Sequence, residues 1–170
     1  MMSKTLIAAI TLALTLLTAA SLSPAASKEI SGRVINVLNG DTIVVTDANN
    51  NKHKVYLLGL DAPEMKQPFG KASRDYLDRL LFARNYQVKV IFKKRTRAQN
   101  IIGTVFAADM NSSQYADING MMVMAGFAWA NPRTSKQYVS IERIARNRKA
   151  GLWEQKRPIA PWKWRQKNEQ

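Results

Sequence analysis

Cysteine is absent from the 170-residue chain, and histidine occurs once, at His53. Without thiols there is no disulfide, no thiol nucleophile, no zinc ribbon, no iron–sulfur site and no cysteine for lipid attachment. One imidazole excludes histidine-cluster metal sites. A serine–histidine triad would have to use His53, which stands beside an Asn-rich turn without an evident buried partner to orient it. Acidic residues are scarce too: 12 Asp plus Glu face 26 Lys plus Arg, for a formal net charge of +14. No apolar run reaches the roughly 20 residues that a membrane-spanning helix needs. Any hydrolysis by this chain therefore has to rest on carboxylates, cations and a metal.

What is present suits one exported domain. Hydrophobic residues make up 46% of the chain, enough for an ordinary core. The basic excess favours polyanionic partners, whether nucleic acid, anionic lipid or acidic polysaccharide, and its plainer reading is a solvated basic face. The basic residues run from Arg33 to Lys167 rather than forming a tail, which points to a charged domain. Lys4, the apolar stretch Leu6 to Ala20 and the small residues after it read as a secretory signal over 1–26, with an uncleaved anchor as the alternative. The remaining 27–170 forms one domain with a basic Trp/Pro-rich tail, expected to be periplasmic or secreted, monomeric and not membrane-inserted.

Alternation from Ile30 to Leu38, the Asn39-Gly40 turn, a β-branched run Thr42 to Thr46, the reversal Asp47 to Asn51 and a return over His53 to Leu58 predict a three-strand meander. An amphipathic helix follows over Lys71 to Phe82, with Ala72, Tyr76, Leu77, Leu80 and Leu81 on its apolar stripe. Strands are expected over Tyr86 to Phe92 and Ile101 to Ala107. Helices are expected over Asp117 to Ala125, stopped by Gly126, and over Tyr138 to Lys149, stopped by Gly151, the latter with Ile141, Ile144, Ala145 and Arg148 on one face. The end, Arg157 to Arg165, reads as irregular. Five strands with helices inserted late make an α+β plan, a small barrel carrying helices.

Asn39-Gly40-Asp41-Thr42, then Gly59-Leu60-Asp61-Ala62-Pro63-Glu64 one hairpin later, resembles the staphylococcal nuclease family. Gly103-Thr104-Val105, Gly126-Phe127-Ala128-Trp129, Tyr138, Glu142, Ala145-Arg146 and Gly151-Leu152-Trp153 continue the likeness in order, across about Ser31 to Arg165. The resemblance implies a five-stranded OB-type barrel with three helices and a calcium-dependent phosphodiesterase site acting on DNA and RNA. Carried over by position, Asp41, Asp61 and the backbone carbonyl of Ala62 would bind Ca²⁺, and Glu64 would act as general base or position the attacking water. Hard oxygen ligands suit calcium, and clustered carboxylates repel one another unless a cation sits among them. Taken singly, Asp41 is equally a turn residue, Asp61 a loop cap and Glu64 a solvated acid.

Two positions depart from the family pattern. Its phosphate-gripping arginines are replaced here by Tyr56 and Asn100. Neither residue supplies a charged bidentate fork, and a lost transition-state donor costs about 10²–10³ in rate. Lys54, Arg95 and Arg97 are the candidate substitutes. The alternatives to a nuclease are a catalytically weak or inactive nucleic-acid-binding module of the same fold, and a cationic envelope protein that binds anionic lipid or polysaccharide. Trp153 is expected to pack in the core. Trp162 and Trp164, set among Lys163 and Arg165, suit core packing and base stacking equally.

Overall fold

A two-sided strand bent by bulges starts the fold. In this computed structural model, which describes residues 27–108 and 114–168, β1 spans Lys28–Asn39 and pairs antiparallel with two neighbours. They are β2 (Thr42–Asp47) and β5 (Gln87–Arg95). Register shifts between Val34 and Asn36 and between Val37 and Asn39 break strict alternation. Val34 and Val37, three apart, therefore both point inward, while Ile35 and Leu38 are exposed. The expected signal segment, 1–26, lies outside the described residues. Among the described residues no helix is long and apolar enough to cross a membrane.

β3 (Lys52–Leu57) returns against β2, and β6 (Ile101–Ala108) pairs with β5. A parallel pairing of β3 with β6, Val55 opposite Ile101 and Leu57 opposite Gly103, closes the five strands into the expected OB-type barrel. Ile43, Val45, Val55, Val90 and Val105 fill it and are fully buried. A short strand β7 (Tyr115–Asp117) extends the β6 edge.

Helices cover the barrel. In α1 (Gly70–Phe82), Leu77, Leu80 and Leu81 enter the core as expected, but Ala72 is exposed and Ser73 is buried in its place. The Ser73 hydroxyl is satisfied there by the carbonyl of Phe127. α2 (Ile118–Met124) is N-capped by Asp117, whose carboxylate accepts the Gly120 N–H at 3.0 Å. Of the four residues expected on the inner face of α3 (Val139–Asn147), Ala145 is buried and Ile141 packs half-buried on the core, while Ile144 and the C-cap Arg148 are exposed. The adjoining inward side chain is Tyr138, 1% exposed, with its hydroxyl on Asp117. The expected irregular end holds only as far as Ala160: after a 3₁₀ turn at Gly151–Glu154 and an irregular stretch, a fourth helix, α4, spans Pro161–Asn168. Pro161 opens it where a missing N–H costs nothing. A two-stranded ladder joins β4 (Leu60–Asp61) to β8 (Trp129–Ala130) beside the barrel mouth.

Candidate active site

Asp41 follows the turn between β1 and β2, and Asn39 Oδ1 accepts its N–H at 3.0 Å. Gly40 approaches the Ser73 hydroxyl and the Ala62 Cβ so closely that any Cβ there would collide. That contact presses the turn onto α1 and onto the segment after β4. The Asp41 carboxylate accepts the Ala62 N–H at 3.0 Å through Oδ2 and the Thr42 hydroxyl at 2.7 Å through Oδ1. Burial pushes this carboxyl above the ordinary carboxylate range; its two hydrogen bonds oppose the shift, and the charges of Asp61 and Glu64 reinforce it. Three acids thus share one electrostatic neighbourhood.

Asp61 is fixed by β4, whose approach is tied down from α2. Fully buried Asn119 accepts the Val105 N–H at 3.0 Å and donates to the Leu58 carbonyl at 2.9 Å. Glu64 is fixed by Gln67 and Gly70. The buried amide of Gln67 accepts the Glu64 N–H at 3.1 Å, and Gly70 leaves the Glu64 carbonyl room that a Cβ would take.

A buried carboxylate requires a partner, and Asp61 is 7% exposed. Its partner is Arg165 on α4. Nη1 donates to Asp61 Oδ1 at 3.1 Å and to Glu64 Oε1 at 2.6 Å, while Nη2 donates to Asp61 Oδ2 at 2.7 Å. The hydrogen bonds to Asp61, against the opposing effect of burial and with the help of Glu64, hold this guanidinium more firmly in its charged form. With all groups ionised, three carboxylates against one guanidinium leave the site doubly negative. Hard oxygens and a double negative charge fit the chemistry of a calcium ion. As they stand, no three acidic or histidine side chains among the described residues form a metal-holding group, and Asp61 and Glu64 are both paired with the guanidinium.

The other expected residues lie elsewhere. The Lys54 ammonium sits 5.1 Å above the ring of Tyr56, on the shared face of β3. Arg95 is engaged in its own loop, 3.4 Å from His53 Nδ1 and donating to the Gln99 carbonyl at 3.0 Å. Arg97 is exposed. Asn100 closes that loop through its backbone, its N–H on the Thr96 hydroxyl at 3.1 Å. Among the described residues none of these makes an ion pair with Asp61 or Glu64. Trp153 is buried as expected; Trp162 packs edge-on against Trp129, and Trp164 lines a cleft beside Glu64 and Arg165.

The family model described as "Staphylococcal nuclease homologue" matches residues 54–155. The chain belongs to the staphylococcal nuclease family. An Escherichia coli protein described as an uncharacterized endonuclease is 37% identical over 145 residues, covering 84% of this chain and 89% of that one. A Shigella flexneri protein named micrococcal nuclease is 35% identical over 144 residues, covering 81% of each. A Haemophilus influenzae protein, also described as an uncharacterized endonuclease, is 32% identical over 146 residues, covering 85% of this chain and 78% of that one.

Several residues that carry the family likeness are frame. Glu142 Oε2 accepts the Ala130 N–H at 2.6 Å, and Arg146, paired with Glu142, lies 3.7 Å over the ring of Trp153. Arg165 and Gln67 were not among the expected site residues. Arg165 stands 104 positions from Asp61, so no local spacing signals the contact, and only its place in a Trp-rich basic end drew notice. Gln67 carries no sequence signal at all.

Proposed function

We propose that the chain is an exported, calcium-dependent nuclease that hydrolyses phosphodiester bonds of DNA and RNA with little sequence preference. One observation carries the reading: three carboxylates, Asp41, Asp61 and Glu64, gathered by the β1–β2 turn, β4 and the segment after it, within a chain of net charge +14. Long-range positive charge draws in the nucleic acid backbone without reading its sequence. Asp41, Asp61 and the Ala62 carbonyl would hold calcium, which when bound polarises a phosphoryl oxygen. Glu64, a third exposed and tethered by Gln67, orients a water for in-line attack and takes up its proton. Pro63 sets the backbone between the metal-binding segment and this base. Export rests on the signal segment alone and is tested by fractionating cells that make the full chain.

The deciding assay digests plasmid DNA and a structured RNA with the purified domain, with calcium and with chelator, beside Glu64→Gln. Calcium-dependent cleavage that Glu64→Gln loses supports the reading; equal activity of the two proteins ends it. Tyr56 and Asn100 favour one second reading, a binding module of the same fold that engages nucleic acid with steep salt dependence and forms no product.

A further inference from the structure

We propose that Arg165 is the phosphate-gripping residue of this site, delivered by the C-terminal helix in place of arginines at positions 56 and 100. The proposal rests on the nuclease reading above and names the residue that completes it.

The bonding pattern of the guanidinium carries the inference. A guanidinium has five N–H donors in a fixed plane. Both hydrogens of Nη1 are used, on Asp61 Oδ1 and Glu64 Oε1, and one hydrogen of Nη2 is used on Asp61 Oδ2. Nε–H and the second Nη2 hydrogen remain, and these lie on one edge of the plane, a side-on fork that matches two oxygens of a phosphate. The side chain is 37% exposed, and Arg165 Nε is not among the buried nitrogens left without a partner, which leaves that edge to a ligand. Beside it lies a cleft of about 260 Å³ lined by Glu64, Met65, Lys66, Trp164, Arg165 and Asn168. Lys66 adds a second cation for the backbone, and Trp164 adds a ring face on which a base can stack.

The helix holding this group is docked. Gln67 donates to the Ile159 carbonyl, Ala160 and Pro161 are buried, and Trp162 packs on Trp129. The carboxylates on one side of the guanidinium fix its plane before substrate arrives, and such preorganised donors supply the largest share of transition-state stabilisation. When phosphate oxygens occupy the open edge, the group keeps its bond to Glu64, so attacking water and scissile phosphate are registered on one side chain.

The test uses the domain with Arg165→Gln and Arg165→Lys, each checked for cooperative unfolding well above the assay temperature, since Asp61 loses its partner. With calcium and a fluorogenic oligonucleotide, Arg165→Gln lowers kcat/KM by about 10²–10³, mostly in kcat, and Arg165→Lys recovers part of the loss. In chelator, anisotropy of a labelled single-stranded 12-mer DNA is followed over a salt series. Loss of one phosphate contact lowers the magnitude of the log–log salt slope by about 0.7. An unchanged slope overturns the proposal. So does turnover that is unchanged or raised in Arg165→Gln, and a rise accompanied by tighter calcium binding makes the arginine a plug. If Glu64→Gln is inactive while Arg165→Gln matches wild type, this inference alone fails. If wild type itself does not cleave, the nuclease reading fails and the anisotropy series still decides the role of Arg165.

Discussion

Gln67 joins Glu64 to Ile159 through a single buried amide: its oxygen accepts the Glu64 N–H and its nitrogen donates to the Ile159 carbonyl. The loop that presents the candidate base and the segment that leads into α4 are thereby held by one side chain. Gln67→Ala removes two part-buried hydrogen bonds, to the Glu64 N–H and the Ile159 carbonyl, at a cost of about 1 kcal/mol each. The urea midpoint falls accordingly. Limited trypsin digestion then cuts faster after Lys156, because the segment that follows loses its anchor. Equal midpoints and equal digestion rates would show that the amide positions nothing.

Glu142 performs a similar service for Asp61 from the other side. It accepts the Ala130 N–H, and Ala130 is paired with Leu60 across the ladder in which Asp61 faces Trp129. Arg146 closes the arrangement, paired with Glu142 and stacked on Trp153 and Trp129. Glu142→Ala removes a charged acceptor from a mostly covered N–H and costs about 1.5–3 kcal/mol. Arg146→Ala, which exposes a ring face and loses a half-exposed ion pair, costs about 0.5–1 kcal/mol. Denaturation midpoints that reverse this order would count against the frame described here.

A pH effect on stability follows from Asp47. Its carboxyl is lowered to about 2, first by the hydrogen bond from His53 and then, against some burial, by the Asn51 and Asn49 amides. Arg95 faces the other nitrogen of the same imidazole. A depressed acid stabilises the fold where it is ionised in both states, above the unfolded value of about 3.9, and that contribution is lost as pH falls towards about 2. The difference in urea midpoint between wild type and Asp47→Asn is therefore largest near about pH 5 and shrinks by about pH 2.5. A gap that widens on acidification contradicts the assignment.

The barrel was legible because alternation of Val88, Val90 and Phe92, and of the meander before them, is a short-range signal, and the Asn39-Gly40 turn fixes where it reverses. In strand β1 the expected alternation fails, with Val34 and Val37 on one side, because a bulge inserts a residue without changing the composition. Ser73 displaced Ala72 from the α1 interface for a tertiary reason, the carbonyl of Phe127 waiting above it. Asp41, Asp61 and Glu64 could be named as candidates from the sequence because each stands in a locally distinctive stretch, at the β1–β2 turn, in β4 and just after it. Arg165 could not be found that way: its role comes from where a helix docks, through Gln67 and Trp162, and neither contact has a local pattern.

Position 56 offers the sharpest engineering test. Tyr56 stands directly opposite Thr42 in the β2–β3 ladder, and the Thr42 hydroxyl donates to Asp41 Oδ1. Residues directly opposite share a sheet face, so an arginine at 56 emerges beside the acid cluster, with Lys54 as its neighbour. If Arg165 already supplies the guanidinium, Tyr56→Arg adds a second donor to a site that has one, and kcat/KM rises by about 10-fold. On the Arg165→Gln background the same change replaces the only fork, and the gain grows to about 10². The two substitutions are then strongly non-additive, as expected of residues that serve one phosphate. Four proteins, wild type, both single variants and the double variant, measured with calcium on one oligonucleotide, close the cycle. Equal gains on both backgrounds would mean that positions 56 and 165 act on different steps, and no gain on either would mean that the face shared with Thr42 does not reach the substrate.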